Sequence, residues 1–218
     1  YIINKMSVKL ESFDICNDKL CSDDLCFVSL GFNCLPRILI DLLFDVRKMY
    51  SCDHRLPFDG SVHRTPNLFH VLDTNFSHFS SKEHFVGGKI NKVTRRFENS
   101  FYQTKYLHEK CNDNFEDFSQ KQKNRVDAFR KLMNSGKKIV FFKYFEAQSD
   151  PTKPYKLSQL RKSIKKLFPH TDFYIVGLTK GISNSVEYNK NVCAIEMPFR
   201  SEKFEEYHYT FNNEFGIE

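Results

Sequence analysis

Cys34 is the side chain in this sequence best placed to act as a nucleophile. It follows the apolar run Cys26-Phe27-Val28-Ser29-Leu30-Gly31-Phe32-Asn33 and opens the amphipathic run Leu35-Pro36-Arg37-Ile38-Leu39-Ile40-Asp41-Leu42-Leu43-Phe44. That order reads as strand, glycine turn and helix, with a thiol at the joint. The first turn of a helix carries unpaired N–H groups and partial positive charge, which favour a thiolate and any oxyanion formed beside it. A thiol nucleophile also needs a base, and His108 ends a segment rich in β-forming residues, Phe101 to His108. Asp59, Glu109 and Asp113 are candidates to orient that imidazole; Asp59 is preferred because it stands in the apolar context Leu56-Pro57-Phe58. Gly31 and Asn33 line the turn that would face a substrate, and Arg55 or Arg37 offers a charge for an anionic group. The competing reading makes Cys34 a small buried core residue, as free cysteines commonly are.

The elements that would position these groups are clearest in the last third. Ile139 to Phe142, Phe173 to Leu178 and Val192 to Met197 are short apolar strands, and Leu157 to Phe168 is a helix with Leu157, Leu160, Ile164, Leu167 and Phe168 at spacings of three and four. Strands alternating with helices predict an α/β fold, a three-layer and mainly parallel sheet with helices on both faces. Ligands of such sheets gather beyond the carboxyl ends of the strands. That rule groups Gly31 to Cys34, His108, Tyr144 to Glu146 and Gly177 to Thr179 around one cleft. Thr65-Pro66 reads as a helix cap followed by proline, residues 76 to 100 as loop with short pieces of structure, and Phe115 to Leu132 as an amphipathic helix stopped at Ser135-Gly136. His54, His63, His70, His78 and His84 fall in the loop-rich middle, where exposed imidazoles are expected.

Length and composition set the outer bounds. The 218 residues, 40% hydrophobic and 28% charged, suit one soluble α/β domain over 1–218, with 1–25 a peripheral extension. No apolar run approaches the twenty residues of a membrane span, and no leader pattern is visible, which favours a cytoplasmic protein. Seven cysteines lack the close pairs of zinc ribbons or redox dithiols, so neither disulfides nor a metal is expected. The net charge of +6 resides partly on Lys137-Lys138 and on Arg161-Lys162 with Lys165-Lys166, a solvated helix face without a nucleic-acid motif. The turn Gly31 to Cys34 lacks the Lys-Ser/Thr of a phosphate loop and the dinucleotide fingerprint, so no cofactor is implied.

Four segments in this order, Ser29-Leu30-Gly31-Phe32-Asn33-Cys34, Leu56-Pro57-Phe58-Asp59, Tyr106-Leu107-His108-Glu109 and Lys138-Ile139-Val140-Phe141-Phe142-Lys143, resemble a family described as "putative papain-like cysteine peptidases". The resemblance covers about residues 26 to 180. Gly60 and Glu109 stand where that family commonly has Trp and Asp. It implies Cys34 as nucleophile, His108 as general base and Asp59 as a motif position, in a cysteine-dependent hydrolase or acyltransferase acting on a peptide or acyl substrate. It also implies a papain-like α+β fold as the alternative to the α/β reading. A different class of function, a glycan- or nucleotide-sugar-related transferase of surface polysaccharide metabolism, would leave Cys34 structural and require Arg37, Arg55 and Lys143 to share an anion pocket. A binding module without catalysis is a third reading, for which the sequence has no positive motif.

Overall fold

The apolar strands of the last third form the centre of the fold. The computed structural model describes residues 25–31, 36–37, 40, 56–59, 61–89, 95–110, 114–145, 153–179, 186–189 and 192–196. Strands β1 (Leu25–Ser29), β6 (Lys138–Phe145), β7 (Phe173–Thr179) and β9 (Val192–Glu196) run parallel in the order β1-β6-β7-β9, and β8 (Val186–Asn189) closes the edge antiparallel to β9. Val28, Phe141, Ile175 and Val192 lie in register across the four parallel strands. Both faces of β6 are buried, from Ile139 through Lys143, as a covered parallel sheet requires. The protein is α/β, as its strand–helix alternation predicts.

A second sheet lies in the segment read from sequence as mostly loop. Strands β2 (Ser61–Val62), β3 (Phe85–Lys89), β4 (Arg95–Asn99) and β5 (Thr104–Lys110) form an antiparallel sheet in the order β2-β5-β4-β3. Its signal is weak in the sequence because β3 is glycine-rich, β4 is mostly polar, and a register shift interrupts the β4–β5 pairing. The strand expected to end at His108 starts at Thr104 and continues to Lys110, after a turn over 100–103.

Among the described residues, three longer helices follow the apolar pattern. Helix α1 (Thr65–Asp73) starts one residue earlier than its proline suggests: Arg64 is the cap, without a side-chain hydrogen bond, and Thr65 is already helical. Helix α2 (Phe115–Met133) is capped by Asn114, whose Oδ1 accepts from Glu116 N at 3.1 Å, with Glu116 and Asp117 in its first turn and Arg130 and Lys131 in its last, matching the helix dipole. The backbone N–H bond and the Lys82 ammonium hold the Glu116 carboxyl below its ordinary range. Helix α3 (Lys153–Leu167) buries Leu157, Leu160 and Ile164.

Helix α2 joins the two sheets. Its first turns, through Phe115 and Phe118, pack on Phe85 of β3 and Phe97 of β4, with Tyr106 of β5 edge-on to Phe118. Its later turns place Phe129 against Phe141 of β6 and against Phe58 and Phe168. One buried cluster therefore runs from the antiparallel sheet to the parallel one. No helix among the described residues is long and apolar enough to cross a membrane.

Candidate active site

The carboxyl end of β1 builds the first wall of the site. Leu30 extends the strand by donating its N–H to Phe142 O at 2.9 Å, and the chain then turns at Gly31 with φ +70°. That left-handed conformation is costly for any residue with a Cβ. Space imposes the same restriction, since a Cβ here would lie 3.3 Å from Phe58 O and 3.4 Å from His63 Cδ2. Gly31 N donates to Ser29 Oγ at 3.2 Å, fixing the turn from its own strand.

The second wall is the loop Leu56-Pro57-Phe58-Asp59, whose carbonyl at Phe58 presses on Gly31. Asp59 holds the loop closed: its N–H donates to Leu56 O at 3.1 Å, and its Oδ2 accepts from Leu56 N at 2.9 Å. The same Oδ2 receives Arg37 Nη1 at 3.4 Å, although the Asp59 side chain is only 2% exposed. Arg37 stands with Pro36 in helical backbone, so this ion pair ties the Pro-Phe-Asp loop to the segment that follows Gly31. Ser61 Oγ donates to Pro57 O at 3.3 Å, completing the loop's attachment to β2.

Two buried groups lie behind these walls: His63, which the sequence places among exposed imidazoles, and Lys143, which it places only in the anion pocket of the transferase alternative. His63 is fully buried, with Nδ1 3.0 Å from Thr104 Oγ1, its ring edge-on to Phe58 and stacked on Phe79. Thr104 Oγ1 also lies 3.4 Å from Tyr102 O, a second acceptor for its hydroxyl. Burial, and secondarily the neighbouring Lys143 ammonium, push this imidazole down to about 3. Lys143 is also fully buried: Nζ donates to His63 O at 2.9 Å and to Leu30 O at 3.4 Å, and burial lowers its pKa to about 7. The lysine thus bridges the end of β1 to the start of α1.

Of the residues expected from sequence to form the site, the structure brings Gly31 and Asp59 together through the Phe58 carbonyl and Arg37. Cys34, Asn33 and Arg55 lie outside the described residues. His108 is described only as backbone, in β5, two positions beyond Tyr106, the partner of Ser61. It therefore stands on a strand of the antiparallel sheet, while Gly31, Tyr144 and Gly177 to Thr179 share the carboxyl end of the parallel strands. The histidines of the middle segment do not behave alike: His70 is exposed, His78 and His84 are half-buried, His63 is fully buried, and His54 lies outside the described residues. The available signal for His63 was the alternation Ser61-Val62-His63, which puts Ser61 and His63 on one buried face.

Residues 25–180 match the family described as "Putative papain-like cysteine peptidase (DUF1796)", and the chain belongs to that family. Comparison with curated proteins and with solved structures gives no match. The matched range starts at the first residue of β1 and ends one residue past β7, so it contains both walls, the antiparallel sheet and the bridging helix.

Proposed function

We propose that this protein is a cysteine-dependent hydrolase or acyltransferase in which Cys34 is the nucleophile and His108 the general base. The observation that carries the reading is the contact between two motifs distant in sequence: the Gly31 turn, three residues before Cys34, is seated on the Phe58 carbonyl of the Pro-Phe-Asp loop. A turn fixed on both sides three residues before Cys34 supports this reading, because acyl transfer to sulfur needs a nucleophile held in place.

In this mechanism His108 takes the Cys34 proton, and the sulfur adds to an amide, ester or thioester carbonyl. The tetrahedral oxyanion collapses as the leaving group departs with the proton from the imidazolium. Water or an acceptor, deprotonated by the same imidazole, then releases the acyl group and restores the thiol. Asp59 is a positioning residue here, because Oδ2 is engaged by Leu56 N and Arg37. His63 is a poor candidate for the base: burial holds its imidazole down to about 3, too weakly basic to draw a proton from a thiol. The transferase alternative draws no support from Lys143 and Arg37, whose cations are directed to two carbonyls and to Asp59.

The test is pH-dependent alkylation of Cys34, followed by site-resolved mass spectrometry, in the parent and in His108→Ala. The expected result is a thiol pKa well below the ordinary value of about 8.5 that rises in the variant. An ordinary thiol in both proteins, indifferent to His108, would reject the mechanism. Cys34→Ala is expected to abolish turnover and leave the unfolding midpoint close to that of the parent.

A further inference from the structure

A second group of chemically capable side chains lies between α1 and β3, sharing no residue with the site above. His84 Nε2 is 3.0 Å from His78 Nδ1 and 3.7 Å from Glu83 Oε1, and all three ligand atoms lie within 4.8 Å of one another. We propose that His78, Glu83 and His84 bind a divalent transition-metal ion of the Zn2+ type.

The separations suit that ion. Metal–nitrogen and metal–oxygen bonds of about 2.0–2.2 Å at tetrahedral angles put neighbouring ligand atoms about 3.3–3.5 Å apart. The observed 3.0 and 3.7 Å bracket this range and all three atoms lie within 4.8 Å, so the set closes once the hydrogen bond between the two rings opens to the ion and the Glu83 carboxylate swings in. Two imidazoles and a carboxylate favour zinc and its transition-metal neighbours over calcium or magnesium, which prefer all-oxygen shells. Three protein ligands would leave a fourth position for water or an added ligand.

The scaffold holds both rings in place. His78 O accepts from Asn99 Nδ2 at 2.8 Å, and His78 N donates to Tyr102 Oη at 3.2 Å. His84 O accepts from Ser100 N at 2.7 Å and from Ser100 Oγ at 2.9 Å. Both rings pack on Phe101, with centroids 4.3 and 4.9 Å away. Four consecutive residues, 99 to 102, therefore position two histidines six residues apart. The Glu83 side chain is 68% exposed, free to swing onto an ion without disturbing the core.

The experiment is a Co2+ titration of the chelator-treated full-length chain, followed by visible absorption, with Zn2+ displacement. The expected result is one Co2+ per chain with d–d bands of a nitrogen–oxygen site, no thiolate charge-transfer band, and loss of the bands on adding Zn2+. His78→Ala and His84→Ala are each expected to weaken binding by at least ~10-fold, the scale of losing even a supporting partner of a metal ligand. Glu83→Gln, which alters only an exposed side chain, should weaken binding while leaving the metal-free unfolding midpoint unchanged, and it decides the question if the histidine variants fail to fold. Absence of Co2+ uptake, a thiolate band, or an affinity indifferent to Glu83 and both histidines would overturn the proposal.

Discussion

Gly31 shows how one missing side chain organises this site. Its φ of +70° and the 3.3 Å approach of the Phe58 carbonyl are separate obstacles to a Cβ, and they add because relieving one does not relieve the other. Gly31→Ala is therefore expected to destabilise the fold by at least ~1–2 kcal/mol from the left-handed backbone alone, read as a lower urea midpoint at unchanged slope. An unchanged midpoint would mean that the turn re-forms with another geometry, and the account of the first wall would fail. The thiol pKa of Cys34 in the same variant is an independent readout, since a displaced turn should also move it toward its ordinary value. Asp59 was singled out in the sequence by its apolar neighbours, and those neighbours are indeed buried with it. Its partner Arg37 was not predictable from spacing, because the ion pair crosses 22 residues of chain.

Among the elements, the parallel strands and α3 were the most legible, because a buried parallel strand must be apolar on both faces and its covering helix must carry a 3.6-residue stripe. Of the antiparallel sheet only β5 was legible, as the strand expected to end at His108. Its other strands include Gly87 and Gly88, the pairs Arg95-Arg96 and Glu98-Asn99, and few alternating apolar residues, so pairing in three dimensions supplies the order that local preference does not. Helix α2 was only half legible for a related reason. It serves two sheets in succession, and at the crossover between them stands Gln122, fully buried in a position where the pattern expects an apolar residue. The contact between α3 and the parallel sheet is tight enough to test: a Cβ on Gly177 would fall 2.7 Å from Leu157 Cδ1 and 3.4 Å from Phe145 Cε2. Gly177→Ala is expected to cost ~1–3 kcal/mol through overpacking, and Leu157→Ala ~2–5 kcal/mol through the cavity it leaves. The double variant should lose less than the two costs added, because the new methyl occupies space the leucine vacates. Additive losses in urea unfolding would show that the two positions do not share the packing described.

For the whole molecule, the consequence of these placements is a contribution to stability that rises with pH. His63 and Lys143 are both bases whose folded pKa values are depressed by burial, to about 3 and about 7 from ordinary values of 6.5 and 10.5. Between the folded and unfolded values the unfolded chain binds more protons than the folded one, so unfolding free energy increases with pH there. For His63 the window is about pH 3 to 6.5, and for Lys143 about pH 7 to 10.5. The two windows nearly adjoin, so each fall in pH from alkaline to acid favours the unfolded chain through one or the other. Carboxylates, tyrosines and thiols titrate over the same range, so the informative quantity is the difference between parent and variant. Relative to Lys143→Met, parent stability in urea should climb as pH rises from 7 toward 10, and relative to His63→Gln it should climb from 3 toward 6. Absolute stability of the lysine variant is a poorer guide, since it leaves the carbonyls of Leu30 and His63 without this donor. Both slopes should persist in high salt, because buried groups are screened far less than surface pairs. A parent–variant difference that stays flat across its window would mean that water reaches the group in the folded protein, and that Lys143 is not the dry bridge between the end of β1 and the start of α1 on which the geometry of the site depends.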